Sequence, residues 1–146
     1  MEDIRSLAQC KEALDGIFES DLDDDTLCVF MLGREQQPVC LSMANEDTKI
    51  NIVFKIGSAE DLSRESLFML LDANSRVNPY AFAIVTAADS DEFEDYEQDV
   101  PLILIDSVPV GDLCREELIR AIEDLKVALM QSSILIRDIN TVAVPA

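Results

Sequence analysis

The chain has no histidine and no tryptophan among its 146 residues, only four glycines, and 11 Lys and Arg against 30 Asp and Glu. Each shortage excludes something. Without histidine, the commonest general base and the commonest metal ligand are both missing. The glycines, Gly16, Gly33, Gly57 and Gly111, are scattered singly, so no glycine-rich loop is present to cradle a phosphate. A net charge of −19 argues against nucleic acid and against an anionic membrane surface, since both require clustered cations. No apolar run approaches the roughly 18 residues that would suggest a membrane span. The opening Met1-Glu2-Asp3 lacks the basic start and apolar stretch of a secretory leader, and the expectation is a cytoplasmic protein.

Apolar residues make up 49% of the chain, enough to bury a core. The four cysteines, Cys10, Cys28, Cys40 and Cys114, are irregularly spaced, with no Cys-x-x-Cys pair. That spacing predicts free thiols in a reducing compartment and no zinc site. Arg115 beside Cys114 raises the prospect of a depressed thiol pKa, although an inert thiol is the simpler expectation. The acidic stretch Asp89–Asp99 departs from an EF-hand, with Glu94 where glycine is needed and Val100 where the bidentate Glu belongs. It reads as a solvated loop interrupted by Phe93 and Tyr96.

Hydrophobic periodicity gives the architecture. Ile4, Leu7, Cys10, Leu14 and Ile17 recur at helical spacing from about Glu2 to Phe18, and an acidic loop follows. Leu27–Leu32 is wholly apolar and predicts a strand buried on both faces. Val39–Ala44 and Ile50–Ile56 alternate with a period of two, which predicts a three-stranded antiparallel meander. Ser58 with Asp61 resembles a capping box for a second helix. That helix runs to about Asn74 and carries Leu62, Leu67, Leu70 and Leu71, with Phe68 and Met69 beside them. Ala81–Ala87 and Pro101–Val110 predict two more strands. Asp112 caps a last helix to about Gln131, striped by Leu118, Ile119, Ile122, Leu125 and Leu129. The expected fold is α+β: an antiparallel five-stranded sheet with helices packed on one face, in the order α-β-β-β-α-β-β-α. Residues 1–131 form a single domain in this reading, and 132–146 a C-terminal tail.

The segment Leu67-Phe68-Met69-Leu70-Leu71-Asp72-Ala73-Asn74 resembles the leucine-rich helix ending in Ala-Asn of class I type III secretion chaperones, the CesT/Tir-chaperone type. Pro101–Val110, followed by Leu113 and Glu116-Glu117-Leu118, is similar to that family's last strand leading into its final helix. The resemblance covers about residues 2–131 and extends to small size and low pI. It implies a homodimer with the second helix at or near the two-fold axis, which places Leu67, Phe68, Leu70 and Leu71 in the dimer interface. It also implies a client protein whose disordered segment adds a strand to the sheet and seats apolar side chains on its surface, with no cofactor. The residues themselves give partial support: five consecutive apolar positions, 67–71, exceed the one face a monomer needs. Cys28, Phe30 and Val53 are the candidate client contacts, on the sheet face away from the helices. The same architecture occurs in YbjN-type bacterial proteins unrelated to secretion, so a regulatory or stress-associated binding protein is the alternative. An enzyme working through carboxylates is a third reading, and it would require a deep polar pocket holding strongly shifted acids.

Overall fold

A computed structural model of the chain describes residues 4–33, 35–44, 46–58, 62–84 and 101–143, apart from the side chains of 75, 76 and 136–143. The elements in chain order are α1 (Leu7–Leu14), β1 (Glu19–Leu22), β2 (Leu27–Phe30), β3 (Val39–Ala44), β4 (Lys49–Ser58), α2 (Arg64–Asp72), a 3₁₀ turn (Asn74–Val77), β5 (Ala81–Ile84), β6 (Pro101–Pro109) and α3 (Arg115–Ala143). The class is α+β. Six strands form one antiparallel sheet in the order β1-β2-β3-β4-β6-β5. The acidic stretch Asp89–Asp99 and the end of the strand expected over Ala81–Ala87 lie outside the described residues.

By internal contacts the chain divides into two compact units, where the sequence reading has one domain. The first is Met1–Phe54 with Ile105–Leu125, and the second is Lys55–Leu104 with Lys126–Ala146.

In the first unit, α1 is shorter than its periodicity suggests. Ser6 caps its start, accepting from the Gln9 N–H at 3.2 Å. Its end is set at Gly16, whose φ of +84° suits glycine alone among common residues. Leu7, Cys10 and Leu14 are buried, and the helix packs on β1 and β3.

The chain then forms a strand where an acidic loop was expected, which makes six strands rather than five. Glu19-Ser-Asp-Leu22 has no apolar alternation to announce it, and of its four residues only Ser20 is buried. It pairs with β2 through Glu19↔Phe30, Ser20↔Val29, Asp21↔Cys28 and Leu22↔Leu27. A short charged strand at a sheet end is a common way to discourage edge-to-edge association.

β2 is not buried on both faces. Leu27 and Val29 are in the core, and Cys28 and Phe30 are half-buried on the other side. The alternation in β3 and β4 is as the sequence predicts, with Val39, Leu41, Ile50, Ile52 and Phe54 inward. One face of the β1–β4 meander therefore supplies the core of this unit, and the other is partly open.

In the second unit, α2 begins at Arg64, later than the Ser58–Asp61 reading places it. Ser63 is the cap, accepting from the Ser66 N–H at 3.1 Å. The helix ends at Asp72, and Asn74 opens the 3₁₀ turn. The Asn74 carboxamide oxygen accepts from the Phe82 N–H of β5 at 2.6 Å. Asn74 thus holds the start of a strand, a longer-range task than closing its own helix.

The largest departure is α3. The sequence reading stops at Gln131, because Gln131-Ser132-Ser133 interrupts the apolar stripe, but the helix continues to Ala143. Its buried positions explain the continuation: Leu118, Ile122, Leu125, Ala128, Ser132 and Leu135 recur every three or four residues, with Ala121 beside Ile122. Ser132 sits in the stripe because its hydroxyl donates to the Leu129 carbonyl at 2.9 Å, so a buried hydroxyl is satisfied within its own helix.

Proline at Ser132 tests this assignment. Within a helix it removes a backbone bond and clashes with the preceding turn, so Ser132→Pro is expected to lower unfolding free energy by about 3 kcal/mol in urea titration. An unchanged midpoint would mean that 132–146 is a tail after all.

Candidate protein-binding surfaces

Four strands bring one row of side chains together on the open face of the meander. Asp21 lies opposite Cys28, Cys28 opposite Cys40, and Cys40 opposite Val53. Two of the three candidate client contacts, Cys28 and Val53, therefore flank Cys40 in a single row. Phe30 stands two residues along β2 on the same face. All four are half-buried. Sequence reasoning overlooked Cys40 as a member of this surface, although its alternation with Val39 and Leu41 points it there.

The outer edge of β1 is partly occupied. The Lys11 ammonium donates to the Ser20 carbonyl at 2.8 Å and to the Ser20 hydroxyl at 3.4 Å. An incoming strand on that edge would have to displace this bond.

In the second unit, the residues expected at a dimer interface separate by burial. Phe68 is 72% exposed and Leu71 52%, with Met69 exposed beside them. Leu67 is half-buried. Leu70 is a correction: it is 1% exposed, packed inside its own chain, and offers no area to a partner. The helix is nine residues long with only Ser66 and Leu70 buried, so most of its apolar surface faces outward. The second half of α3 adds Val127, Met130 and Ile134, exposed at spacings of three and four on one side of the helix. That stripe escaped the sequence reading, since it lies where the helix was thought to be ending.

The thiols are unlike one another. Burial pushes Cys10 up to about 12, an inert core thiol. Cys114 donates to the Glu117 carboxylate at 3.1 Å, and this bond raises its pKa, opposite to the effect expected of Arg115. Arg115 is turned away, its Nε donating to the Ala13 carbonyl at 2.8 Å at the end of α1.

A cavity of about 260 Å³ in the first unit is lined by Asp106, Val108, Leu113, Glu117, Arg120 and Asp124, among others. Asp106 is raised from its ordinary value, by burial first and also by the Asp124 charge, against a lowering bond from the Ser107 N–H at 2.8 Å. The lining has carboxylates and one arginine but no cysteine, serine, threonine or lysine. Among the described residues, no three Cys, Asp or Glu side chains are grouped to hold a metal ion, and no helix is long and apolar enough to cross a membrane.

No protein-family model matches the chain, and no curated protein matches it.

The raised Asp106 makes a pH prediction. Its native state holds the proton more tightly than the unfolded chain, so its contribution to stability is present below the ordinary value of 3.8 and is lost as pH rises through the raised value. Asp106→Asn keeps an oxygen for the Ser107 N–H and removes the charge. The variant is expected to melt higher than the parent at pH 7, with the gap closing below pH 3.8. A gap that is constant with pH would show that charge at Asp106 is not its cause.

Proposed function

We propose that the protein is a non-enzymatic protein-binding module of the type III secretion chaperone kind, a dimer that holds a disordered segment of a client. The observation that carries the reading is the outward apolar surface of α2, where Phe68 and Leu71 stand in solvent on a helix with little buried face of its own. Large exposed apolar groups in an otherwise highly charged chain mark contact surfaces. In a two-fold dimer the same patch meets its own copy, so each residue contributes twice. Phe68, Leu71 and Met69 form the dimer contact in this reading, with Leu67 at its margin.

The client surface is the open face of the meander, where Cys28, Phe30, Val53 and Cys40 offer half-buried apolar ground for side chains of an extended peptide. The charge of −19 gives a basic client segment long-range attraction, falling with salt. Binding draws on burial of apolar area at about 25 cal/mol per Å², offset by the cost of ordering the client. A regulatory protein of the same fold remains the alternative, and it would take a folded partner.

Sedimentation equilibrium tests the dimer. The parent is expected at twice the chain mass. Because each side chain is used twice, Phe68→Asp is expected to weaken association by about 100-fold or more. Circular dichroism should be unchanged, since Phe68 contributes little to its own fold. A monomeric parent sinks the dimer, and a dimer indifferent to Phe68→Asp removes α2 from its interface.

A further inference from the structure

Cys28 and Cys40 are directly opposite each other on β2 and β3, both half-buried on the open face. The kind of cross-strand pair they form follows from the backbone. In an antiparallel ladder, hydrogen-bonded and non-hydrogen-bonded pairs alternate, and each residue turns its N–H and C=O to the same neighbour. The Asp23 N–H donates to the Thr26 carbonyl at 2.8 Å, which makes Asp23 and Thr26 a bonded pair. Counting back along the register, Asp21 and Cys28 are bonded too. Cys28 therefore turns its backbone groups to β1, and it meets Cys40 as a non-hydrogen-bonded pair.

The far side of the meander gives the same answer. The Thr48 carbonyl accepts from the Val110 N–H at 3.0 Å, which points that peptide's other end, the Lys49 N–H, toward β3. Lys49 and Ala44 are then a bonded pair, and two steps of two along the register so are Val53 and Cys40. Cys40 turns its backbone to β4, away from β2.

Non-hydrogen-bonded pairs are the close ones, with Cα atoms about 4.5 Å apart and side chains nearer than in the bonded kind. Disulfides accept Cα separations from about 4.4 Å upward, so this pair falls within range with both side chains on the same face. Burial first, and the neighbouring Cys28 second, raise the Cys40 thiol above an ordinary thiol, as two adjacent sulfurs on one face would.

From this register we infer that Cys28 and Cys40 are a reversible dithiol–disulfide site, closed by low-molecular-weight disulfides such as oxidised glutathione. One cysteine, as thiolate, attacks the reagent, breaking its S–S bond and releasing one reduced thiol. The second, as thiolate, attacks the protein sulfur of the mixed disulfide and releases the other. Two protein thiols lose two electrons and two protons, and the reagent gains both. A half-exposed disulfide at the short end of the permitted range belongs with the labile, regulatory kind. The site rests on sheet geometry and not on the chaperone reading, so either can fail without the other. Cys10 is buried and Cys114 lies outside the sheet, just before α3, so neither competes for closure.

The test treats the folded protein with oxidised glutathione, then maps peptides by mass spectrometry and counts free thiols. The expected product is a Cys28–Cys40 linked peptide pair, a chain lighter by two hydrogens, and a thiol count falling from four to two. Dithiothreitol should reverse it. Cys28→Ser and Cys40→Ser should each abolish closure, and Cys114→Ser should leave it intact. A lasting glutathione adduct on Cys28 or Cys40 without closure would overturn the assignment. So would a link that forms only after unfolding in urea, and neither result depends on a variant folding.

Discussion

The register of the β1–β4 meander is the constraint from which most of the first unit follows. Side chains alternate between faces with a period of two, so a slip of one residue would send Leu27, Val29, Val39, Leu41, Ile50 and Ile52 into solvent together. Burying those six fixes the register. The register then fixes which residues line up on the other face, whether or not those residues contribute to stability. The row of Asp21, Cys28, Cys40 and Val53 is a by-product of core packing, and so is the pairing of its two cysteines across β2 and β3.

A sheet with two ends must manage unpaired backbone groups at both, and this one uses side chains to do so. At β1, Lys11 reaches across from α1 to the Ser20 carbonyl, and at β5, Asn74 reaches to the Phe82 N–H. Each bond blocks one rung on which another strand might pair. The acidic residues of β1 add a like-charge barrier between copies of the chain. Against those barriers stand the exposed apolar groups of α2 and of the second half of α3, which include Phe68, the most exposed large apolar side chain among the described residues.

Much of the fold was legible because its signals are periodic. Val39, Leu41, Ile50, Ile52 and Phe54 of β3 and β4, Leu7, Cys10 and Leu14 of α1, and Leu118, Ile122 and Leu125 of α3 are all buried, whereas Ile17 is exposed and Ile119 half-buried. What escaped lacked period or carried the wrong chemistry. β1 is acidic and has the composition of a loop, since its pairing with β2 is a tertiary fact that propensity does not record. The end of α3 was hidden by two serines, one of which is buried by bonding to its own helix. In α2, five apolar residues in a row imply more than one apolar face but do not indicate which residue faces inward. Leu70 was the one, a matter of helix phase that only a packed structure decides. The thiol of Cys114 shows the same limit: Arg115 is its neighbour in sequence, but Glu117, one helical turn on, is its neighbour in space.

Three elements, β4, β6 and α3, begin in one compact unit and finish in the other. No loop separates the two halves of any of them, so no cut in the chain divides the molecule into pieces that each keep their secondary structure whole. The units are regions of dense contact rather than transferable modules. A fragment ending at Phe54 would leave β4 cut short and lacking β6 beside it, and one beginning at Lys126 would be half a helix.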